Sequence, residues 1–481
     1  MVAGIVTSIL NGKNAKRLTI FVISSVAVMS ALLLIYLLQT GESFTYMMGH
    51  YPAPWGNEIR AGVLEALLAF FFSSIMLLCI LGGLEQIFTD VEEKKINLYF
   101  IMTDLLLASL LALIYTNDMF TAYVFIEMNT IAACGLIMSK QNGRTILAGT
   151  KYMVMSLLGS GLTLIGITLL YYVTGHLLMS NIKVTVNEIV ATGQYSEPLT
   201  IIIGVFAVGL AIKSALFPFH SWLPDAYGYS TASSAAMLSG LVSKGFIFLL
   251  LKIIYRVIGF NIIISYRIMN LLFIFGLIGI IMGSIFALSE RDIRRMIAYS
   301  SVAQIGYIYM GIGLGTKFGI CAAIFHIISH AASKALLFIS ANGLSQVSGE
   351  SKKFADLKGA GFRNKLAGVG FMVGSLSMVG IPLFAGFISK LNFAGASVTS
   401  PTKMIPTLVV LAISTILNAM YFIRAVIVIY TPQGDQKEVS IRRYHLPFSI
   451  SIVFFVILNF VLGMLSQPIM DAIKQGVEML G

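Results

Sequence analysis

Five ionisable residues stand inside stretches that otherwise read as membrane-spanning. Lys213 lies in IIIGVFAVGLAIKSALFPF, Lys244 in AAMLSGLVSKGFIFLLLK, Lys334 in IFHIISHAASKALLFI and Lys390 at the end of IPLFAGFISK. Glu127 is placed the same way in TAYVFIEMNTIAACGL. A charge near the bilayer centre costs several kcal/mol, so such groups are rare, face protein or water, and usually serve a pathway. Four lysines and a glutamate so placed point to a route for protons or ions.

Lysine suits proton transfer in such a setting. Burial disfavours the charged ammonium, and a nearby carboxylate favours it again. A Glu–Lys contact that forms and breaks would therefore make a lysine hold or release its proton. Glu127 is the candidate partner of Lys213, either as that switch or as one half of a static pair. His326, His330 and Lys334 fall at i, i+4 and i+8, and so share one helix face. Histidine titrates near neutral pH and can relay protons. The alternatives for this face are a metal site, which no carboxylate or cysteine in the segment completes, and histidines that bond backbone carbonyls of broken helices. Ser156, Ser160, Ser239, Ser243, Ser300, Ser301 and Ser333 accompany the ionisable groups. Their default reading is a hydrogen bond to their own backbone or an easing of helix packing. Gly159, Gly161, Gly240 and Gly245 read first as points of close helix contact.

The elements that carry these residues are membrane helices. The chain of 481 residues is 57% hydrophobic and 11% charged, against about 25% charged in soluble domains. Its mean hydropathy is +0.89. The apolar stretches run for roughly 20 residues, which fits helices rather than a barrel. The expected class is an all-α polytopic membrane protein of about 13–14 transmembrane helices, with no soluble domain. The thirteen spans run over residues 18–38, 61–81, 97–115, 119–138, 152–173, 199–217, 231–257, 268–288, 298–315, 318–344, 366–392, 404–430 and 447–465.

Charge orders these spans. Lys13, Lys16 and Arg17 precede the first span, and Lys94 and Lys95 follow the second. Lys140, Arg144 and Lys151 follow the fourth, and Arg291, Arg294 and Arg295 the eighth. Lys352, Lys353, Lys358, Arg363 and Lys365 follow the tenth, and Lys437, Arg442 and Arg443 the twelfth. All fall on one side if the N-terminus is cytoplasmic, as a cytoplasmic excess of Lys and Arg requires. The C-terminus then lies outside. The net charge of +11 thus reflects topology and not nucleic-acid binding.

Two spans carry a proline beside a lysine: Lys213 with Pro218, and Pro382 with Lys390. Proline removes a backbone donor and breaks or kinks a helix. Broken helices at corresponding places in two halves of a chain are a pointer to transport sites built from inverted repeats. Cys79, Cys134 and Cys321 are far apart and form no CxxC or Cys/His spacing, which excludes iron–sulfur, zinc and haem attachment. No nucleotide loop or nucleophile elbow is present either. No cofactor and no metal is expected in this chain.

The segment FPFHSWLPDAYGYSTASSAAMLSGLVSKGFIFLLLK closely resembles the core signature of the antiporter-like membrane subunits. These are found in respiratory complex I, Mrp-type Na+/H+ antiporters and membrane-bound hydrogenases. The resemblance continues through RDIRRMIAYSSVAQIGYIYMGIG, FHIISHAASKALLFISANGL and GSLSMVGIPLFAGFISKLNF, and covers most of residues 127–390. It implies Glu127 paired with Lys213 of the first broken helix, Lys244 as a connecting lysine, His326, His330 and Lys334 as the central relay, and Lys390 as the terminal lysine. It also implies two inverted five-helix repeats. The expected organisation is peripheral helices over 1–96, half-channels over 97–257 and 258–430, and a peripheral helix over 431–481. The run MGHYPAPWGNEIRAGVLEALLAFFF looks most like the D-type member of the Mrp antiporters. VAGIVTSIL is too short to span, so the family's first helix is truncated or absent.

The expected function is proton translocation, with or without Na+ exchange, as one subunit of a multisubunit complex in the plasma or inner membrane. The alternatives are a redox-driven complex of the complex I or hydrogenase kind, in which the chain itself has no redox site, a stand-alone solute transporter, and a scaffold with a dead channel. The sequence near the broken helices is mostly aliphatic, unlike a solute cavity, and the ionisable residues a dead channel would lose are all present.

Overall fold

The computed structural model describes residues 1–53, 55–193, 195–432 and 445–480. Lys437, Arg442 and Arg443 of the last basic loop, and Pro54, lie outside the described residues. Helices follow one another with short connections: α1 (Val2–Ile9), α2 (Gly12–Thr40), α3 (Val63–Asp90), α4 (Ile96–Tyr115), α5 (Met119–Met138), α6 (Gly143–Thr174), α7 (Met179–Thr192), α8 (Ser196–Ser214), α9 (Leu223–Tyr229) and α10 (Ala232–Met237). A π-helical segment, Leu238–Val242, joins α10 to α11 (Ser243–Lys252), and a second, Ile253–Ile258, follows α11. Then come α12 (Phe260–Ser265), α13 (Ile268–Ser289), α14 (Ile293–Gly313), α15 (Lys317–Gln346), α16 (Ala360–Arg363), α17 (Lys365–Val379), α18 (Ala385–Val398), α19 (Pro401–Tyr430), α20 (Leu446–Met464) and α21 (Ser466–Leu480). Between α2 and α3 a small antiparallel hairpin pairs β1 (Phe44–Met47) with β2 (Glu58–Ala61), Phe44 opposite Ala61.

Local chemistry sets the helix ends. Asp118 accepts from the Thr121 amide to start α5, and Asn142 and Thr145 form a reciprocal capping box at α6. Asp292 accepts from the amides of Arg294 and Arg295 at α14, and Thr316 caps α15. Among the described residues eleven helices are long and apolar enough to cross a membrane. Two further crossings are α14, whose arginines lower its hydropathy, and the two-part helix α17–α18. The expected thirteen spans are therefore all helical, with ends shifted by up to nine residues, as where α3 runs on to Asp90 and α6 starts at Gly143.

Order along the chain divides the central helices into two consecutive sets of five. The first is α4, α5, α6, α8–α9 and α10–α11; the second is α13, α14, α15, α17–α18 and α19. The fourth member of each set is broken. The basic loops meet on one face, where Lys140 pairs with Asp90 at 2.5 Å and Lys151 with Asp225 at 2.7 Å. The hairpin, α7, α12 and the end of α21 gather on the other.

Burial singles out two helices. The spans 232–258 and 317–346 are buried throughout their apolar windows, whereas Gly12–Thr40 is only 17% buried. The innermost spans are thus the ones that carry Lys244 and the histidine face. The short α1 runs back beside α4, where Thr7 donates to Asp104 at 3.2 Å. The C-terminal α21 is amphipathic and packs its Gly476 against Leu64 of α3.

Candidate functional site

The first break begins at Ala215, whose φ of 61° ends α8 two residues after Lys213. Pro218 lies inside the connection to α9, so the helix stops before the proline, not at it. The Ile212 carbonyl accepts from the Ala215 amide at 3.2 Å and from the Trp222 indole at 3.3 Å. Lys213 is 1% exposed. Its ammonium donates to Thr130 Oγ1 at 2.6 Å and Ser156 Oγ at 3.1 Å, and lies 5.4 Å from the centre of the Phe246 ring. Glu127 stands three residues before Thr130 on α5, within Coulombic range of Lys213. Among the described residues no ion pair joins the two. The expected direct Glu–Lys contact is therefore open in this conformation, and hydroxyls hold the lysine instead.

The centre lies on α11, α14 and α15. The Lys244 ammonium donates to the Ser239 carbonyl in the π-helical turn, and the Ser239 and Ser301 hydroxyls stand 3.4 Å apart. Such turns are frequent at functional sites. The Lys334 ammonium donates to Ser300 Oγ and, at 3.1 Å, to the Ile297 carbonyl of α14, and sits 5.5 Å from the Phe422 ring centre. The His326 and His330 rings stack with centroids 5.8 Å apart and planes at 4°, so the inferred helix face is real. His326 Nδ1 lies 2.5 Å from Ser389 Oγ of α18. Both ring nitrogens of His330 are buried with no hydrogen-bond partner among the described residues. His326 has the Gln304 backbone within reach, so the reading in which the histidines bond backbone carbonyls fits His326 and not His330. Lys244, His326, His330 and Lys334 lie within Coulombic range of one another, and Lys390 within range of His326.

The second break begins at Gly380, whose φ of 90° closes α17 with two backbone bonds, to Leu376 and Ser377. A left-handed residue at a helix end is most easily glycine. Pro382 follows inside the connection. Lys390, on α18, reaches back to the Val379 carbonyl at 2.6 Å and to Thr415 Oγ1 of α19 at 2.9 Å.

Of the serines, Ser160 and Ser301 bond their own helix, the default reading. Ser156 and Ser300 hold the two lysines. Ser333 donates to Asn459 of α20 at 2.6 Å and lies 3.0 Å from Ser377. A Cβ at Gly159 would stand 2.9 Å from the Gly209 carbonyl, so α6 and α8 touch there; Gly161 meets nothing within 4 Å and is not a packing point. Several partners carried no signal of their own. Thr130, Tyr309 (2.7 Å from Ser214) and Asn459 look in sequence like ordinary helix residues. Asp104 and Glu65 did carry one, being carboxylates in apolar stretches. Asp104 accepts from Thr7 and Thr19; Glu65 accepts from Arg256 at 2.6 Å, both partners buried.

A multi-pass membrane protein with two broken helices, each bearing a lysine, and a lysine–histidine cluster between them defines a class of ion-translocating membrane subunits. The match to known sequences makes this specific. Residues 116–418 fit the family model described as NADH:quinone oxidoreductase/Mrp antiporter, TM, and the chain belongs to that family. NADH-quinone oxidoreductase subunit N of Desulforudis audaxviator is 33% identical over 90% of this chain and 87% of that protein. The Na(+)/H(+) antiporter D subunit of Alkalihalophilus pseudofirmus is 29% identical over 88% of this chain and 83% of its own. In fold, the chain is similar to one in the membrane-bound sulfane sulfur reductase, an archaeal respiratory membrane complex (TM-score 0.88, 24% identity, 99% of this chain and 94% of that one). It is equally similar to a chain of the Mrp complex from Dietzia sp. DQ12-45-1b (TM-score 0.88, 20% identity, 100% and 96%).

Proposed function

We propose that this chain is an antiporter-like subunit of a multisubunit membrane complex and carries protons along Glu127, Lys213, Lys244, His326, His330, Lys334 and Lys390. The observation that carries the reading is the cluster of Lys244, His326, His330 and Lys334 within mutual Coulombic range, with Lys390 within range of His326. The four clustered groups lie in spans buried throughout their apolar windows, and Lys390 lies on the partly exposed α18. Around the cluster, both His330 nitrogens, Gln304 Nε2 and Ser329 Oγ are buried with no hydrogen-bond partner among the described residues. Buried polar atoms in native proteins are nearly always matched by protein or by ordered water. A line of such atoms suits a hydrated path. Lys213 with Glu127 supplies a second cluster, one helix away, whose contact can close or open.

The basic face is read as cytoplasmic, so α2 starts there and α20 ends on the outer side. Lipid surrounds the outer helices, and H+, with or without Na+, is the cargo. The chain carries no cofactor of its own. A second reading, the same module driven by a redox arm on other subunits, is favoured by the relatives named for NADH-quinone oxidoreductase and sulfane sulfur reductase. The test is transport by the assembled complex in inverted vesicles. Lys213→Ala should abolish it while the complex still assembles; unimpaired transport in that variant would sink the pathway.

A further inference from the structure

The distal half of the first broken helix is held by cations that belong to the second half of the chain. Arg294, 1% exposed at the start of α14, directs one guanidinium nitrogen at three carbonyls: Tyr227 at 2.9 Å, Ser230 at 2.8 Å and Thr231 at 3.2 Å. Its Nε and Nη1 have no partner, so the side chain's bonding goes wholly to the α9–α10 connection. Lys352, in the connection after α15, donates to the Gly228 carbonyl at 3.0 Å. The Lys352 segment is itself fastened to α14, since Ile293 N donates to Lys352 O at 2.9 Å and Phe354 N to Arg291 O at 3.0 Å. Arg295 adds an ion pair to Asp225 of α9 at 2.6 Å. Carbonyls at a helix C-terminus are orphan acceptors with partial negative charge, and cations are their natural partners.

We propose that Arg294 and Lys352 form a clamp through which the second half-channel positions α9. The proposal rests on reading α8–α9 as part of the transport path. The α14 helix that carries Arg294 also bonds Lys334 through Ile297 and Ser300, so one rigid element touches the central relay and the first broken helix.

Hydrogen–deuterium exchange of the intact complex, corrected for intrinsic rates, tests this on residues 223–231 and 347–359. Lys352→Gln, which loses the cation, should lower protection of both segments several-fold, and Lys352→Arg should retain it. Arg294→Gln should lower protection of 223–231 at least tenfold; should that variant fail to assemble, the Lys352 pair still decides. Unchanged protection of 223–231 in Lys352→Gln overturns the clamp. Because this readout needs no transport, a dead pathway and an absent clamp give different results.

Discussion

Lys390 crosses the break in the second broken helix and donates to the carbonyl of Val379, the last residue of α17, at 2.6 Å. A side chain from one half of the helix thus caps the other half. Its charge sits against the negative end of the α17 dipole, and Thr415 takes a second hydrogen bond. The group that can carry the proton therefore also bridges the break. Lys213 has no such bond; Trp222 and the backbone serve the first break, and the lysine turns to α5 and α6 instead.

Two substitutions at Lys390 separate these roles. Lys390→Arg keeps a donor for Val379 but does not give up its proton. It should leave the thermal midpoint of the complex nearly unchanged while abolishing transport. Lys390→Glu sets a carboxylate against carbonyls, and should lose both transport and about 1–3 kcal/mol of stability. Vesicle transport and thermal unfolding of the same preparations check the pair; an active Lys390→Arg variant would remove the lysine from the proton path.

The hydroxyls around Lys213 give a second prediction. Thr130→Val deletes the 2.6 Å acceptor and leaves a buried ammonium with one hydrogen bond, a loss of about 1.5–3 kcal/mol for a charged partner. The protonated form of Lys213 suffers, so transport that depends on loading this lysine should shift to lower pH. Glu127→Gln removes the nearby negative charge and should slow transport and shift its profile in the same direction. Matching pH–rate curves for Glu127→Gln and the unaltered protein would make the carboxylate a bystander.

Much of this was legible in the sequence, for one reason: burial is costly for ionisable groups, so each in an apolar run advertises a site. Lys213, Lys244, Lys334, Lys390 and the His326–His330 face stood out on that ground, and the basic loops fixed the number of crossings. What the sequence could not supply is which neutral side chains receive the lysines. Thr130 and Ser156 are indistinguishable from threonines and serines that bond their own helix. The breaks were placed at Pro218 and Pro382, but left-handed residues, Ala215 and Gly380, end the helices first. Arg256 falls inside the expected span 231–257 and is not among the residues its sequence context singles out, although it is 3% exposed.

That arginine carries a third prediction. Arg256 donates to Glu65 at 2.6 Å, and its Nε to the Leu480 carbonyl at the end of α21 at 3.2 Å. Removing one partner of a buried pair strands the other charge and costs about 3–5 kcal/mol. Glu65→Gln should therefore lower the unfolding midpoint strongly, while Glu65→Leu combined with Arg256→Met should recover most of the loss. A double variant as unstable as the single one would show that the contact with α21, and not the charge pair, holds this end of the molecule.

The closest helix contact at the first break gives the last prediction. A Cβ at Gly159 of α6 would stand 2.9 Å from the Gly209 carbonyl and 3.0 Å from Lys213 Cγ. Backbone on α8 cannot yield without moving the lysine. Gly159→Val should push α8 away, draw Lys213 off Thr130 and Ser156, and cost about 1–3 kcal/mol as overpacking. Transport should fall at least tenfold. Gly161, two residues on and with nothing within 4 Å, supplies the control: Gly161→Val adds the same side chain to the same helix and should leave transport and stability close to unchanged. Equal losses in both variants would mean that α6 itself, rather than its contact with α8, is what valine disturbs.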